Sequence, residues 1–132
     1  MNAPLPDPDL AGRRVFVVED EALVSILVET ILEDIGCQVA GPYMRVAEAQ
    51  AALDGETGVL DAALLDVNVA GQTVFPVAEA LIARGVPVVF ATGYGEAGVP
   101  AGLRDWPTLQ KPYTAADVEA ALKAAVGLSA KV

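Results

Sequence analysis

Four short apolar runs in this chain each end in a polar group that could do chemistry. Leu60-Asp61-Ala62-Ala63-Leu64-Leu65 ends in Asp66, and Arg14-Val15-Phe16-Val17-Val18 runs into Glu19-Asp20-Glu21. Val86-Pro87-Val88-Val89-Phe90-Ala91 runs into Thr92, and Pro107-Thr108-Leu109-Gln110 runs into Lys111-Pro112. Taken singly, each residue has a plain explanation. Glu19 and Asp20 suit the positive end of a helix dipole, Asp66 can cap a turn, Thr92 can be a satisfied strand-end hydroxyl, and Lys111 can be a solvated charge. Taken together they describe something more. Carboxylates driven together repel unless a cation or a proton intervenes, and Mg2+ takes such oxygen ligands at about 2.0–2.1 Å while sharing itself with phosphate oxygens. Asp20 and Asp66 can supply two ligands, and Asn68, two places past Asp66, can offer its backbone carbonyl as a third. Lys111 adds a movable positive charge and Thr92 a hydroxyl. Cation, ammonium and hydroxyl together make a cradle for a phosphoryl group.

These residues meet only if the elements carrying them are parallel neighbours. Apolar runs of this length, bounded by polar residues, read as strands buried on both faces. Between them lie helical patterns. The first is Ala22 to Ile35, with Val24, Leu27, Val28, Ile31, Leu32 and Ile35 at helical spacing and Gly36 as its stop. A short second strand over Gln38 to Ala40 ends at Gly41-Pro42. A helix over Arg45 to Leu53 closes at Asp54-Gly55. Asn68 to Gln72 reads as a loop, Thr73 as the cap of a third helix with Val77, Ala80 and Leu81 inward, and Gly85 as its end. Gly93 to Leu103, rich in glycine, reads as a loop or single short turn. The last helix starts at Thr114 with Asp117 forming a capping box, buries Val118, Ala121, Leu122, Ala125 and Val126, and ends at Gly127. Alternating strands and helices imply an α/β doubly wound fold, a five-stranded parallel sheet in the order 2-1-3-4-5 with a short or irregular fourth helix. Strands one and three are then adjacent, so Asp20 and Asp66 meet at the carboxyl edge.

Composition limits the alternatives. The chain has 132 residues, 54% hydrophobic and 20% charged, which fits one globular domain. We expect a disordered Pro-rich tail over residues 1–12, a domain over 13–127 and a C-terminal tail over 128–132. The net charge of −10, with only 8 basic residues, is a poor footing for nucleic acid. No apolar run approaches the length of a membrane span, and the N-terminus has no basic n-region or apolar h-region, so we expect a cytoplasmic protein. Cys37 is the single cysteine and there is no histidine. Any phosphohistidine must come from a partner.

In order and spacing, Val17-Val18-Glu19-Asp20-Glu21, Leu64-Leu65-Asp66-Val67-Asn68, Phe90-Ala91-Thr92-Gly93 and Lys111-Pro112-Tyr113 resemble a response-regulator receiver domain of two-component signalling, over about Arg13 to Gly127. The likeness extends to a subgroup with Phe-Ala-Thr-Gly after the fourth strand, often found as stand-alone receivers. It implies a flavodoxin-like receiver fold and a phosphoprotein of a phosphorelay. Asp66 would accept the phosphoryl group from a histidine kinase or histidine phosphotransfer protein. Glu19, Asp20, Asp66 and the Asn68 carbonyl would surround Mg2+, while Thr92 and Lys111 would contact the phosphoryl group. Such a protein is no enzyme beyond self-catalysed phosphotransfer and slow autodephosphorylation, and it signals through a downstream protein partner. The chain departs from the commoner pattern in three places. The loop after Asp66 is short and lacks a Met-Pro-x-Met-Asp-Gly run, the fourth helix is eroded, and Thr108 stands where the family's switching relay has an aromatic residue.

Two other functions stay open on the residues themselves. One is a Mg2+-dependent phosphohydrolase using the strand-end Asp66, although Val67 and Asn68 offer no second acid–base carboxylate there and the chain has no room for a cap domain. The other is a degenerate receiver that only binds. Tyr94 could screen an acyl phosphate from water or simply pack in its loop. Gly93-Tyr94-Gly95-Glu96-Ala97-Gly98 satisfies G-x-G-x-x-G after a strand, but Gly98, Pro100 and Gly102 oppose the helix that a dinucleotide needs behind it, so no nucleotide binding is expected there.

Overall fold

A computed structural model describes residues 7–93 and 98–130. The elements, in chain order, are β1 (Arg14–Val18), α1 (Ala22–Ile35), β2 (Gln38–Tyr43), α2 (Val46–Asp54), β3 (Ala62–Asp66), β4 (Asn68–Val69), β5 (Gln72–Thr73), α3 (Phe75–Ala83), β6 (Val88–Thr92), a 3-10 turn (Ala101–Leu103), β7 (Thr108–Gln110) and α4 (Ala115–Ala130). Five strands form a parallel sheet in the order β2-β1-β3-β6-β7. This is the expected 2-1-3-4-5 order. The extra numbers come from β4 and β5, a separate antiparallel hairpin.

Strand alternation builds two cores. Phe16, Val18, Ala63, Leu65, Val88 and Phe90 face α2 and α3, where Val46, Ala49, Val77, Ala78 and Leu81 meet them. Val15, Val17, Ala62, Leu64, Val89 and Ala91 face α1 and α4, where Val28, Ile31, Leu32, Val118, Leu122 and Ala125 meet them. A period of two along each strand thus fills both faces. Phe90 meets Phe75 edge-on at 5.9 Å between ring centroids, a favoured aromatic geometry. The caps behave as expected at two ends. Gly36 (φ 102) donates its amide to the last turn of α1, and Thr114 and Asp117 exchange the two bonds of a capping box, at 2.9 and 3.2 Å.

Several boundaries differ from the sequence expectation, each for a tertiary reason. β2 does not stop at Gly41 but continues to Tyr43 through an irregularity in its pairing with β1. Gly41 makes this possible, with φ +103 and space for no Cβ, which would lie 2.9 Å from the Val17 carbonyl. Gly41→Ala is therefore expected to cost on the order of 1–3 kcal/mol, measured as a fall in the denaturant midpoint. An unchanged midpoint would show that the strand relaxes around the methyl group.

Thr73 does not cap α3. It pairs with Asn68 in the hairpin, and Val74 is the N-cap, without a side-chain bond. Ala78, not Ala80, faces the core, and Leu27 of α1 is exposed. α4 runs through Gly127 to Ala130. One glycine costs only about 1 kcal/mol there, and Leu128 beyond it lines a groove with Trp106. The stretch expected as the end of a disordered tail is packed from Asp7 onward. Leu10 is buried between α1 and α4, the Asp7 and Gly12 amides donate to the carbonyls of Ile35 and Gly36, and Lys123 reaches Asp7 at 3.2 Å. Residues 1–6 of that tail lie outside the described residues, as do Tyr94 and the centre of the G-x-G-x-x-G run. From Gly98 on, the crossover from β6 to β7 has only the 3-10 turn among the described residues, with Val99 buried against the α2/α3 core.

Candidate functional site at the carboxyl edge of the sheet

The ends of β1, β3, β6 and β7 meet at one edge. Asp66 is the last residue of β3, the central strand, and is 6% exposed. Glu19, just past β1, is 2% exposed, and Thr92, the last residue of β6, is 3% exposed. Asp20 is half-buried. One carboxylate oxygen from each of Glu19, Asp20 and Asp66 lies within 4.8 Å of the others. Lys111 Nζ lies 3.1 Å from Asp66 Oδ2 and 3.3 Å from Glu19 Oε1. The more exposed Glu21 is 3.7 Å away. The Lys111 backbone amide donates to the Thr92 carbonyl at 2.9 Å, which fixes the start of the lysine loop against the end of β6.

The charges are held in tension. Burial pushes the Glu19 carboxyl up to about 7; the Asp66 charge adds to this, while the Glu21 amide and Lys111 oppose it. Burial also raises the Asp66 carboxyl, against the pull of Lys111. Burial works against the Lys111 charge, but Asp66 and Glu19 outweigh it and hold the ammonium above its ordinary range. For Asp20, burial pushes upward, and the backbone amide of Ala70 leads the hydrogen bonds that bring it below its ordinary value. Tyr113, beside this cluster, is pushed up to about 12, by burial first and then by the Glu19 charge.

Three clustered carboxylates, two of them buried and resisting ionisation, suit a hard divalent cation. The donor set is all oxygen, so Mg2+ fits it. Asn68 opens the hairpin directly after Asp66 and Val67, with its side chain exposed. All six residues singled out in the sequence (Glu19, Asp20, Asp66, Asn68, Thr92 and Lys111) stand at this edge.

Sequence reasoning missed the hairpin. Ala70 and Gly71 form its turn, with φ 52 and 83, and the Ala70 amide donates to Asp20 Oδ2 at 2.9 Å. The local signal was a glycine between two-residue extended pieces, too short to show a period. A second missed feature is a groove beside the site of about 310 Å³, lined by Glu21, Val24, Leu27, Lys111, Pro112 and Tyr113. It adjoins the exposed Leu23 (83% exposed) and Ile26 of α1.

No protein-family model matches the chain, and no curated protein matches it. Solved structures do. SdrG from Sphingomonas melonis Fr1, a solution structure, is 41% identical, with a TM-score of 0.76; the match covers 91% of this chain and 99% of that one. The BeF3-activated conformation of SdrG, from Pseudomonas melonis Fr1, is 42% identical over 88% of this chain and 98% of that one, with a TM-score of 0.71. The receiver (REC) domain of the response regulator PhyR from Erythrobacter litoralis is 25% identical, covering 89% of this chain and 92% of that one, with a TM-score of 0.77. With that likeness over nearly the whole chain, the shared sheet order and the carboxylate cluster facing a lysine, the chain belongs to the response-regulator receiver domain family.

Proposed function

We propose that this receiver accepts a phosphoryl group on Asp66 from the phosphohistidine of a histidine kinase or histidine phosphotransfer protein, and passes the signal on by protein–protein contact. The observation that carries this reading is the buried Asp66 carboxylate at the end of the central strand, with the Lys111 ammonium 3.1 Å from it. An Asp66 oxygen attacks phosphorus as the bond to the donor's imidazole nitrogen breaks. The nitrogen keeps the electron pair, and an acyl phosphate forms on Asp66. Mg2+, held by Glu19, Asp20, Asp66 and the Asn68 carbonyl, would supply positive charge to the phosphoryl oxygens. Lys111 turns from the carboxylate to a phosphoryl oxygen, and Thr92 donates its hydroxyl to another.

Two further features support the reading. A relative 42% identical to this chain has been solved in a BeF3-activated conformation, and BeF3 on a carboxylate imitates a phosphoryl group. The exposed Leu23, Ile26 and Leu27 of α1, with the groove at Val24, Pro112 and Tyr113, give a phosphoryl donor an apolar surface beside Asp66. No helix among the described residues is long and apolar enough to cross a membrane. Our reading puts the protein in the cytoplasm, where kinases load their histidines. Phe90-Ala91-Thr92-Gly93, at the end of β6, aligns it with the receivers that carry this run at the corresponding place.

The test is incubation with acetyl phosphate and Mg2+, followed by intact mass. One added phosphoryl group per chain, decaying slowly, is the expected result. Continuous turnover of a generic phosphate ester would replace the receiver reading with a phosphohydrolase. No labelling by acetyl phosphate or a phosphohistidine donor would leave a binding module.

A further inference from the structure

We infer that the β4–β5 hairpin positions a metal ligand: the Ala70 backbone amide, bonded to Asp20 Oδ2, aims the other Asp20 oxygen at the ion. This rests on the Mg2+ reading above and adds to it a contact from the turn of the hairpin.

The three carboxylates are not equally constrained. Glu19 and Asp66 are buried, and each is tied to Lys111. Glu19 also accepts the Glu21 amide at 3.1 Å. Asp20 is half-buried, so its surroundings restrict its rotamers less. Beyond the neighbouring carboxylates, the hairpin reaches it from a distant part of the chain, with Ala70 N–H donating to Oδ2 at 2.9 Å. A carboxylate with one oxygen tethered to an amide can still ligate through the other, and such outer hydrogen bonds orient ligands.

The hairpin is built to hold that amide still. Val69 and Val74, on either side of it, are fully buried against the α2/α3 core. The turn has positive φ at both Ala70 and Gly71, the pattern of a tight two-residue hairpin turn. Alanine is an unfavourable residue for the first of these positions, so the sequence tolerates strain where the amide meets Asp20. Asn68, whose carbonyl is the further candidate ligand, starts the same hairpin opposite Thr73. One small element thus touches the ion site twice, through a candidate ligand and through the ligand's tether. By reciprocity, an ion that prefers the tethered Asp20 must also order the hairpin.

The test removes one hydrogen and keeps the side chain. In the full chain, Ala70 is replaced by its α-hydroxy analogue, lactic acid, which turns the amide into an ester without an N–H. Magnesium affinity is read by calorimetry, with no phosphoryl donor present. The ester variant is expected to bind Mg2+ about tenfold more weakly, while Ala70→Gly, which keeps the N–H and suits positive φ, stays within about twofold of wild type. Gly85→Ala serves as the stability control. Gly85 has φ +79 at a turn remote from the site, so this variant should melt lower without losing Mg2+ affinity. In wild type, the Ala70 amide should exchange more slowly with solvent when Mg2+ is saturating, and this arm stands even if the ester variant does not fold. A folded ester variant with wild-type affinity, or an Ala70 amide that exchanges faster with Mg2+, overturns the inference while leaving the ion site intact. Wild type that binds no Mg2+ at millimolar concentration overturns both.

Discussion

Asp66→Asn is expected to take up no phosphoryl group under conditions in which wild type gains one. The neutral amide is a poor nucleophile and cannot form the acyl phosphate. The variant should nevertheless fold at least as well as wild type, because Asp66 is a buried carboxylate beside the buried Glu19. Removing its charge relieves repulsion, and Lys111 keeps Glu19 as a partner at 3.3 Å. Loss of labelling can then be separated from loss of structure by a melting curve on the same sample. Lys111→Ala tests the other side of the site. It removes an ammonium that lies within reach of both buried carboxylates, and unpaired buried charge is costly, so both labelling rate and stability without Mg2+ should fall. Label appearing on an Asp66→Asn chain, at any other residue, would remove Asp66 from the centre of the proposed function.

The second large effect is on stability. In the absence of Mg2+, the protein should become less stable as pH rises from about 4.3 through about 7. The Glu19 carboxyl sits at about 7 in the fold, against about 4.3 in an unfolded chain. A raised folded value means that the native state binds the proton more tightly. The resulting stabilisation is complete below the unfolded value and is lost as pH climbs through the folded one. Asp66 is shifted in the same direction and adds to the slope. Asp20 is shifted downward, so its opposite contribution falls at more acidic pH. Lys111, raised, keeps its proton throughout. With about 1.4 kcal/mol per pKa unit, the loss should be on the order of a few kcal/mol. Glu19→Gln should flatten the profile between pH 5 and 8 and melt above wild type at pH 8. Mg2+ binds only the folded site, and it should raise the wild-type melting temperature more at pH 8 than at pH 5, where it competes with protons. General repulsion from a net charge of −10 also grows with pH, and the Glu19→Gln comparison isolates the site's share. Parallel wild-type and Glu19→Gln profiles would show that Glu19 does not titrate in this window.

Much of this was legible in one dimension. The apolar runs Val15 to Val18, Ala62 to Leu65 and Val88 to Ala91, each bounded by polar residues, are long enough to declare strands buried on both faces. Strand–helix alternation then allows few sheet orders, and the 2-1-3-4-5 order makes Asp20 and Asp66 neighbours. Gly36 and the Thr114–Asp117 pair mark helix ends because capping depends on residues three or four apart. What the tertiary structure decided is what depends on partners far along the chain. Leu27 has helical spacing yet is half-exposed, because it lines the open groove with Pro112 and Tyr113 instead of entering a core. Asp7 to Gly12 looks like a tail until Leu10 finds the gap between α1 and α4. Gly127 reads as a stop until α4 continues past it. The hairpin at Asn68 to Thr73 has strands of two residues, too short for any period, and its purpose lies in a bond from Ala70 to Asp20, 50 residues away in sequence. The electrostatic tension at Glu19 is likewise a property of burial and proximity. Periodicity and capping are local interactions and are written in neighbouring residues. Burial, repulsion and the aim of a single amide exist only once distant segments pack.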